Sequence, residues 1–94
     1  MSLQAQYYAS LRKEDLLSMP AQYAWNAVLY YIQFTQDELV RVKSWIDIRS
    51  LVRYQHSITR EFLEEHFRED IDECLLLTWD DVDRYITQNT KSNL

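Results

Sequence analysis

The chain has 94 residues, no glycine, one proline, one cysteine and a formal net charge of −5, and 47% of its residues are hydrophobic. This length predicts a single domain with a modest core, and the lack of glycine argues against β-rich folds and excludes glycine-rich phosphate-binding loops. The same lack of glycine favours an all-α fold. A single cysteine excludes an internal disulfide and is typical of a reducing compartment, so we expect a cytoplasmic protein.

Apolar residues at helical spacing extend from about residue 11 to residue 88, so residues 1–94 are predicted to form one helical domain. The sequence allows disorder at its two ends, about 1–9 and 89–94. One face of the helix near residues 20–33 consists of Trp25, Val28, Leu29 and Ile32. A helix with such a face, and with more apolar residues on a second side, is typical of the centre of a small bundle.

Three threonines mark the starts of predicted helices. In "TQDE", Thr35 and Glu38 form a capping box, in which the hydroxyl and the carboxylate each accept from the other residue's backbone N–H. Thr59 is predicted to cap the next helix, and Thr78 with Asp81 forms a looser capping box. These boundaries predict an all-α small bundle or stacked array of five or six short helices.

The helix starts recur with a period of 24 residues. Leu11, Thr35 and Thr59 are spaced by this interval, and a short acidic-apolar helix follows each of them. A tryptophan is then predicted to open a second helix in each unit: Trp25, Trp45 and Trp79. Three degenerate helix pairs predict a stacked array whose neighbours share a core. Chance similarity among amphipathic helices is the alternative.

The segment "WIDIRSLVRYQHSITREFLEEHF" resembles the short tandem helical repeats of phage and large DNA virus proteins. The order that matches is Trp45, Ile48, Tyr54, Gln55, Ile58, Thr59, Phe62 and Leu63, and Trp79, Val82, Tyr85 and Ile86 resemble the next unit. The match covers about residues 45–88, and its tryptophan lies farther from Tyr-Gln than in those repeats. The resemblance implies a helical scaffold and favours a viral or mobile-element origin, and it implies no reaction.

The charge of the chain is unevenly distributed. Residues 1–60 contain seven Lys/Arg and five Asp/Glu, whereas residues 61–94 contain three Lys/Arg and ten Asp/Glu. Such a dipolar chain could steer a partner towards one surface. Alternatively, the basic and acidic regions attract each other within the fold.

The stretch "YQHSITREFLEEH" has the outline of a helix-turn-helix motif. Arg49 and Arg53, one turn apart on a predicted helix 45–55, could contact phosphates. The candidate recognition helix 59–69, however, contains four glutamates, which the phosphate backbone repels. With a pI near 4.8, nucleic acid is the less favoured partner, and a DNA-binding regulator is the alternative function.

Catalysis and metal binding have little support in the sequence. Cys74 lies between acids and leucines, which raise rather than lower a thiol pKa, so it is interpreted as a core residue. His66 and Asp70 are four residues apart, but zinc needs three or four ligands and no second histidine is near in sequence. We therefore expect a non-enzyme without a metal or cofactor.

The sequence has more large rings than a core of this size takes, with seven tyrosines and three tryptophans. Exposed tyrosine and arginine are typical of protein interfaces, and carboxylates on rigid helices can imitate the phosphates of a nucleic acid. The predicted partner-binding residues are therefore Tyr30, Tyr31, Arg49, Arg53 and Tyr54, together with the carboxylates Glu61, Glu64, Glu65, Asp72 and Glu73.

The sequence thus predicts a small acidic protein-binding module. Its most concrete form is a phage or mobile-element protein that binds and inhibits a host protein, such as one that handles nucleic acid. The partner is a host or cognate protein, and a homodimer is left open. No membrane partner is expected, because the longest uninterrupted apolar stretch is only a few residues.

Overall fold

Eight short α-helices make up the described part of the chain. A computed structural model describes residues 2–91, and within them there are also two 3₁₀ turns and no strand. The helices are α1 (Leu3–Ala9), α2 (Lys13–Ser18), α3 (Trp25–Tyr31), α4 (Gln36–Arg41), α5 (Ile48–Tyr54), α6 (Arg60–His66), α7 (Arg68–Asp72) and α8 (Trp79–Lys91), and the 3₁₀ turns are Pro20–Gln22 and Lys43–Trp45. The predicted all-α bundle is confirmed, but its helices are shorter and more numerous than the five or six expected.

Both ends of the described chain are helical. The first helix, α1, occupies most of the segment 1–9, for which the sequence allows disorder, and the Ser2 hydroxyl caps it by accepting from the backbone N–H of Ala5 at 3.1 Å. Tyr8 is buried and anchors α1 to the core. At the other end α8 continues to Lys91, and residues 92–94 lie outside the described residues.

Trp45 does not open a helix, contrary to the prediction. It ends a 3₁₀ turn and is 50% exposed, and α5 begins three residues later at Ile48. The physical reason is Asp47, whose carboxylate accepts from the backbone N–H of Arg49 at 2.9 Å and caps α5. A second unpredicted break lies at Phe67, which separates α6 from α7 with φ −130° and ψ 16°.

A unit of two helices occurs three times, and in the first two units a short turn joins the helices. The first helices, α2, α4 and α6, begin at Lys13, Gln36 and Arg60, at intervals of 23 and 24 residues. The second helices are α3, α5 and α8, and α3 packs against α5 and α5 against α8. The third unit is longer because α7 and the loop 74–78 lie between its two helices. The second helices therefore stack side by side.

The core repeats with the same period. Each first helix has an apolar residue just before its cap and a leucine four residues after the cap, which is the spacing of a hydrophobic staple. These pairs are Leu11 and Leu16, Phe34 and Leu39, and Ile58 and Leu63. All three helix leucines have 0% exposed surface. The apolar face predicted on α3 is also part of the core, where Trp25, Val28 and Leu29 are buried.

The three predicted threonine caps are present. Thr35 and Glu38 form both hydrogen bonds of a capping box at the start of α4. The Thr59 hydroxyl accepts from the third N–H of α6 at 3.1 Å. Thr78 and Asp81 exchange two hydrogen bonds, at 3.1 and 3.2 Å, at the start of α8. These caps are local in sequence, which is why they could be predicted.

We expect Glu38→Gln to make the protein less sensitive to acid. The hydrogen bond from the backbone N–H of Thr35, assisted by Lys13, lowers the pKa of Glu38 below its ordinary value of 4.5, against the opposing effect of burial. A carboxyl with a lowered folded-state pKa stabilises the fold above its unfolded pKa, and this stabilisation is lost as pH falls through the folded pKa. Urea unfolding of both proteins from neutral pH to below pH 4.5 should show the smaller loss of stability in the variant. Identical losses would contradict this role of Glu38.

Candidate functional site

The corner between α5 and α6 holds the array together and is made by Gln55. Its side chain is fully buried (0% exposed), and its amide nitrogen donates to the carbonyls of Leu29 and Ile32, both at 2.8 Å. Its amide oxygen accepts from the backbone N–H of Phe34 at 2.9 Å. The stretch with a helix-turn-helix outline thus begins at the joint that fixes the end of α5 to the end of α3 and to the residue before the cap of α4.

A continuous row of tyrosine rings crosses α1, α3 and α5, and we call Tyr7, Tyr8, Tyr31, Tyr30 and Tyr54 the tyrosine row. Neighbouring ring centroids in this order are 5.0, 4.9, 4.8 and 5.0 Å apart. Tyr8 is buried, whereas Tyr7 and Tyr30 are 54% and 58% exposed. The inner rings fix the orientation of the outer ones, so the exposed surface is ordered in advance of any contact.

Two rings of the row, Tyr31 and Tyr54, occupy a position that repeats along the chain, a signal that the sequence reasoning missed. With the helix starts that the structure shows, the seventh residue of the second helix is a tyrosine in every unit: Tyr31, Tyr54 and Tyr85. Because these second helices stack side by side, equivalent positions lie next to one another. The incorrect start of α5 at Trp45 hid this correspondence.

Arg53 connects the row to α8. Its guanidinium lies 5.7 Å from the centroid of the Tyr85 ring, within the range of a cation–π contact. Hydrogen bonding to the hydroxyl of Tyr85, and more weakly to that of Tyr54, raises the pKa of Arg53. The arginine is therefore a permanent cation at the edge of an aromatic surface.

A polar pocket of about 220 Å³ adjoins the row. It is lined by Asn26, Asp47, Arg49, Ser50, Arg53 and Tyr54. Arg49 is paired with Asp47 at 3.3 Å, and the Ser50 hydroxyl donates to the Asn26 amide oxygen at 3.1 Å. With two arginines against one carboxylate, the lining has a formal charge of +1. The structure thus brings together all five predicted tyrosine and arginine residues.

The predicted carboxylates lie on other helices. Glu61, Glu64 and Glu65 are on α6, and Asp72 and Glu73 are at the end of α7. Glu64 pairs with Arg60 at 3.1 Å and with Arg68 at 3.2 Å. Asp72 accepts from the indole N–H of Trp79 at 2.9 Å. Glu65 is 3.9 Å from the imidazole of His66, so only Glu61 and Glu73 are exposed without such partners among the described side chains, and this surface alternates in sign.

The structure also places the residues considered for other chemistry. Cys74 is half-buried. Asp70, which the sequence analysis weighs with His66 as a metal ligand, lies 3.8 Å from the ammonium of Lys43. Among residues 2–91 no group of three His, Cys, Asp or Glu side chains is placed to hold a metal ion. In the same part of the chain, no helix combines the length and the apolar character needed to cross a membrane.

No protein-family model and no curated protein matches this chain, and no solved structure matches it. The resemblance to the viral tandem repeats therefore stays a prediction made from the residues alone.

Proposed function

We propose that the chain is a non-catalytic protein-binding module that docks its partner on the tyrosine row and the polar pocket. The observation that carries this proposal is the continuity of the row, whose ring contacts run unbroken from Tyr7 to Tyr54 while Tyr7 and Tyr30 remain more than half exposed. Tyrosine offers a large contact area with little side-chain entropy to lose, and it is enriched at interfaces.

The pocket supplies what a ring surface lacks, which is charge. Arg49 and Arg53 present donors beside the exposed rings, and both arginine and tyrosine are enriched among interface hot spots. A partner that places an apolar or aromatic group on the row and an acceptor in the pocket satisfies both parts. Nothing in this arrangement requires a reaction.

The acidic surface supports a narrower version, in which the partner is a host protein that handles nucleic acid and is inhibited by binding. The exposed carboxylates Glu61, Glu65 and Glu73 favour it, and the pairing of Glu64 with two arginines weakens a continuous imitation of phosphates. The resemblance to viral repeats agrees with this version. The DNA-binding alternative rests on the exposed arginines of α5, and the glutamates of α6 oppose it.

A pull-down of tagged protein from the lysate of its natural host, with and without nuclease, tests the proposal. We expect one stoichiometric protein partner that survives nuclease and is lost with Arg49→Glu/Arg53→Glu. The matched control, Arg12→Glu/Arg41→Glu, reverses two exposed arginines, one just before α2 and one at the end of α4, and should retain the partner. Partners that vanish with nuclease and leave DNA behind would replace the proposal with the DNA-binding regulator.

A further inference from the structure

A second surface lies between the start of α5 and the loop after α7, and we call it the leucine groove. Its volume is about 680 Å³, and its apolar lining is formed by Ile46, Ile48, Leu75 and Leu76. Leu75 is 97% exposed and Leu76 is 74% exposed, whereas the next residue, Leu77, is buried. Two adjacent, almost fully exposed leucines above a groove are typical of an interaction site rather than of ordinary surface.

The loop that presents these leucines is held at both ends. On one side the backbone N–H of Cys74 donates to the carbonyl of Ile71 at 3.1 Å, which closes α7. On the other side Leu77 is in the core and Thr78 caps α8. The first two units have no such loop between their helices. The insertion thus adds an ordered apolar surface that the repeated core does not use.

The rim of the groove is acidic. Asp47, Asp70 and Glu73 line it against the single cation Arg49, which gives a formal charge of −2. Arg49 is already paired with Asp47, and Asp70 lies 3.8 Å from the ammonium of Lys43. Of the three rim carboxylates, Glu73 alone has no lysine or arginine of residues 2–89 within ion-pair distance, so it is the carboxylate most available to a partner. If a second copy of the chain docked symmetrically on this groove, two rims that each have a formal charge of −2 would face each other. Their repulsion opposes self-association at this surface.

We infer that the leucine groove binds a basic amphipathic segment of a partner protein. The apolar side chains of that segment contact Leu75 and Leu76, and its lysines or arginines face Asp70 and Glu73. This interaction goes beyond the tyrosine-row proposal, because it uses a different surface and the opposite charge. The two surfaces adjoin, since Asp47 and Arg49 line both the groove and the polar pocket.

The test uses a fluorescently labelled amphipathic helical peptide of leucine and lysine, and a leucine–glutamate peptide with the same apolar pattern. Anisotropy at physiological salt should show saturable binding of the lysine peptide only. Leu75→Ser/Leu76→Ser should weaken that binding by roughly tenfold or more. Because both leucines are exposed, this variant should keep the unfolding midpoint of the wild type, which is measured alongside.

Charge variants distinguish binding in the leucine groove from nonspecific electrostatic attraction between a basic peptide and an acidic protein. Asp70→Asn/Glu73→Gln should weaken binding of the lysine peptide by roughly tenfold. The matched control Glu14→Gln/Asp15→Asn removes two exposed carboxylates from α2 and should leave binding unchanged.

Three results would overturn the inference. They are no binding of the lysine peptide by the wild type, equal binding of the two peptides, and equal binding by the wild type and the serine variant. A concentration-dependent dimer in sedimentation that the serine variant abolishes would identify a second copy of the chain as the occupant instead. Tyr30→Ser is expected to leave peptide binding unchanged, so failure of this inference and failure of the tyrosine-row proposal are distinguishable.

Discussion

Replacing Gln55 by leucine should lower the free energy of unfolding by roughly 3–5 kcal/mol, because three buried or partly buried backbone groups lose their partner at once. These are the carbonyls of Leu29 and Ile32 and the N–H of Phe34. Each group left without a hydrogen bond costs about 1–3 kcal/mol. The free energy of unfolding of a chain of this length is on the order of 5–15 kcal/mol in total, so the variant should lose from about a fifth to all of its stability.

Gln33→Leu is the matched control. Gln33 also bridges the first and second units through its side chain, donating to the carbonyl of Tyr54 at 2.7 Å and accepting from the N–H of His56 at 2.9 Å. It is exposed, so water replaces its partners and the expected loss is about 1 kcal/mol. Urea unfolding followed by circular dichroism measures both variants. Equal losses would mean that burial of Gln55 does not control the corner.

The helix starts and the apolar faces of this fold could be predicted because their signals are local. The capping box of Thr35 and Glu38 spans four residues, and the face of Trp25, Val28 and Leu29 spans five. The predicted start of α5 at Trp45 is wrong because Asp47 caps the helix with its carboxylate, which an indole cannot do. The partners of the Gln55 side chain lie 21 to 26 residues earlier, and no local pattern indicates them.

The sequence could predict which residues belong to the candidate site, but not how they are arranged. An excess of rings over core space indicated that tyrosines such as Tyr30 are exposed, but not that their rings are continuous across three helices. The acidic third looked uniform in sequence, yet Arg60 pairs with Asp83 at 2.5 Å, across 23 residues. Likewise, nothing in the run of three leucines shows that the third is buried and the first two are not. These properties depend on how the units stack.

Replacing Tyr30 by serine should weaken the complex with the protein recovered in the pull-down by roughly thirtyfold or more, which is about 2 kcal/mol. Tyr30 is the most exposed ring of the row, and it contacts Tyr31 and Tyr54 on either side. Its loss removes contact area and also releases Tyr54, which lines the polar pocket. Binding to purified partner is measured by calorimetry, together with the unfolding midpoint.

Trp45→Ser is the control for this variant, because Trp45 is similarly exposed but lies on the 3₁₀ turn before α5, outside the row. Affinity should be retained in that protein. If both variants bind as the wild type does, the row is a packed surface without a partner. If Trp45→Ser alone weakens binding, the partner contacts the turn between α4 and α5. If Tyr30→Ser alone weakens binding, the tyrosine row is the surface that binds the partner, and the ring contacts of Tyr30 and Tyr54 order that surface before the partner arrives.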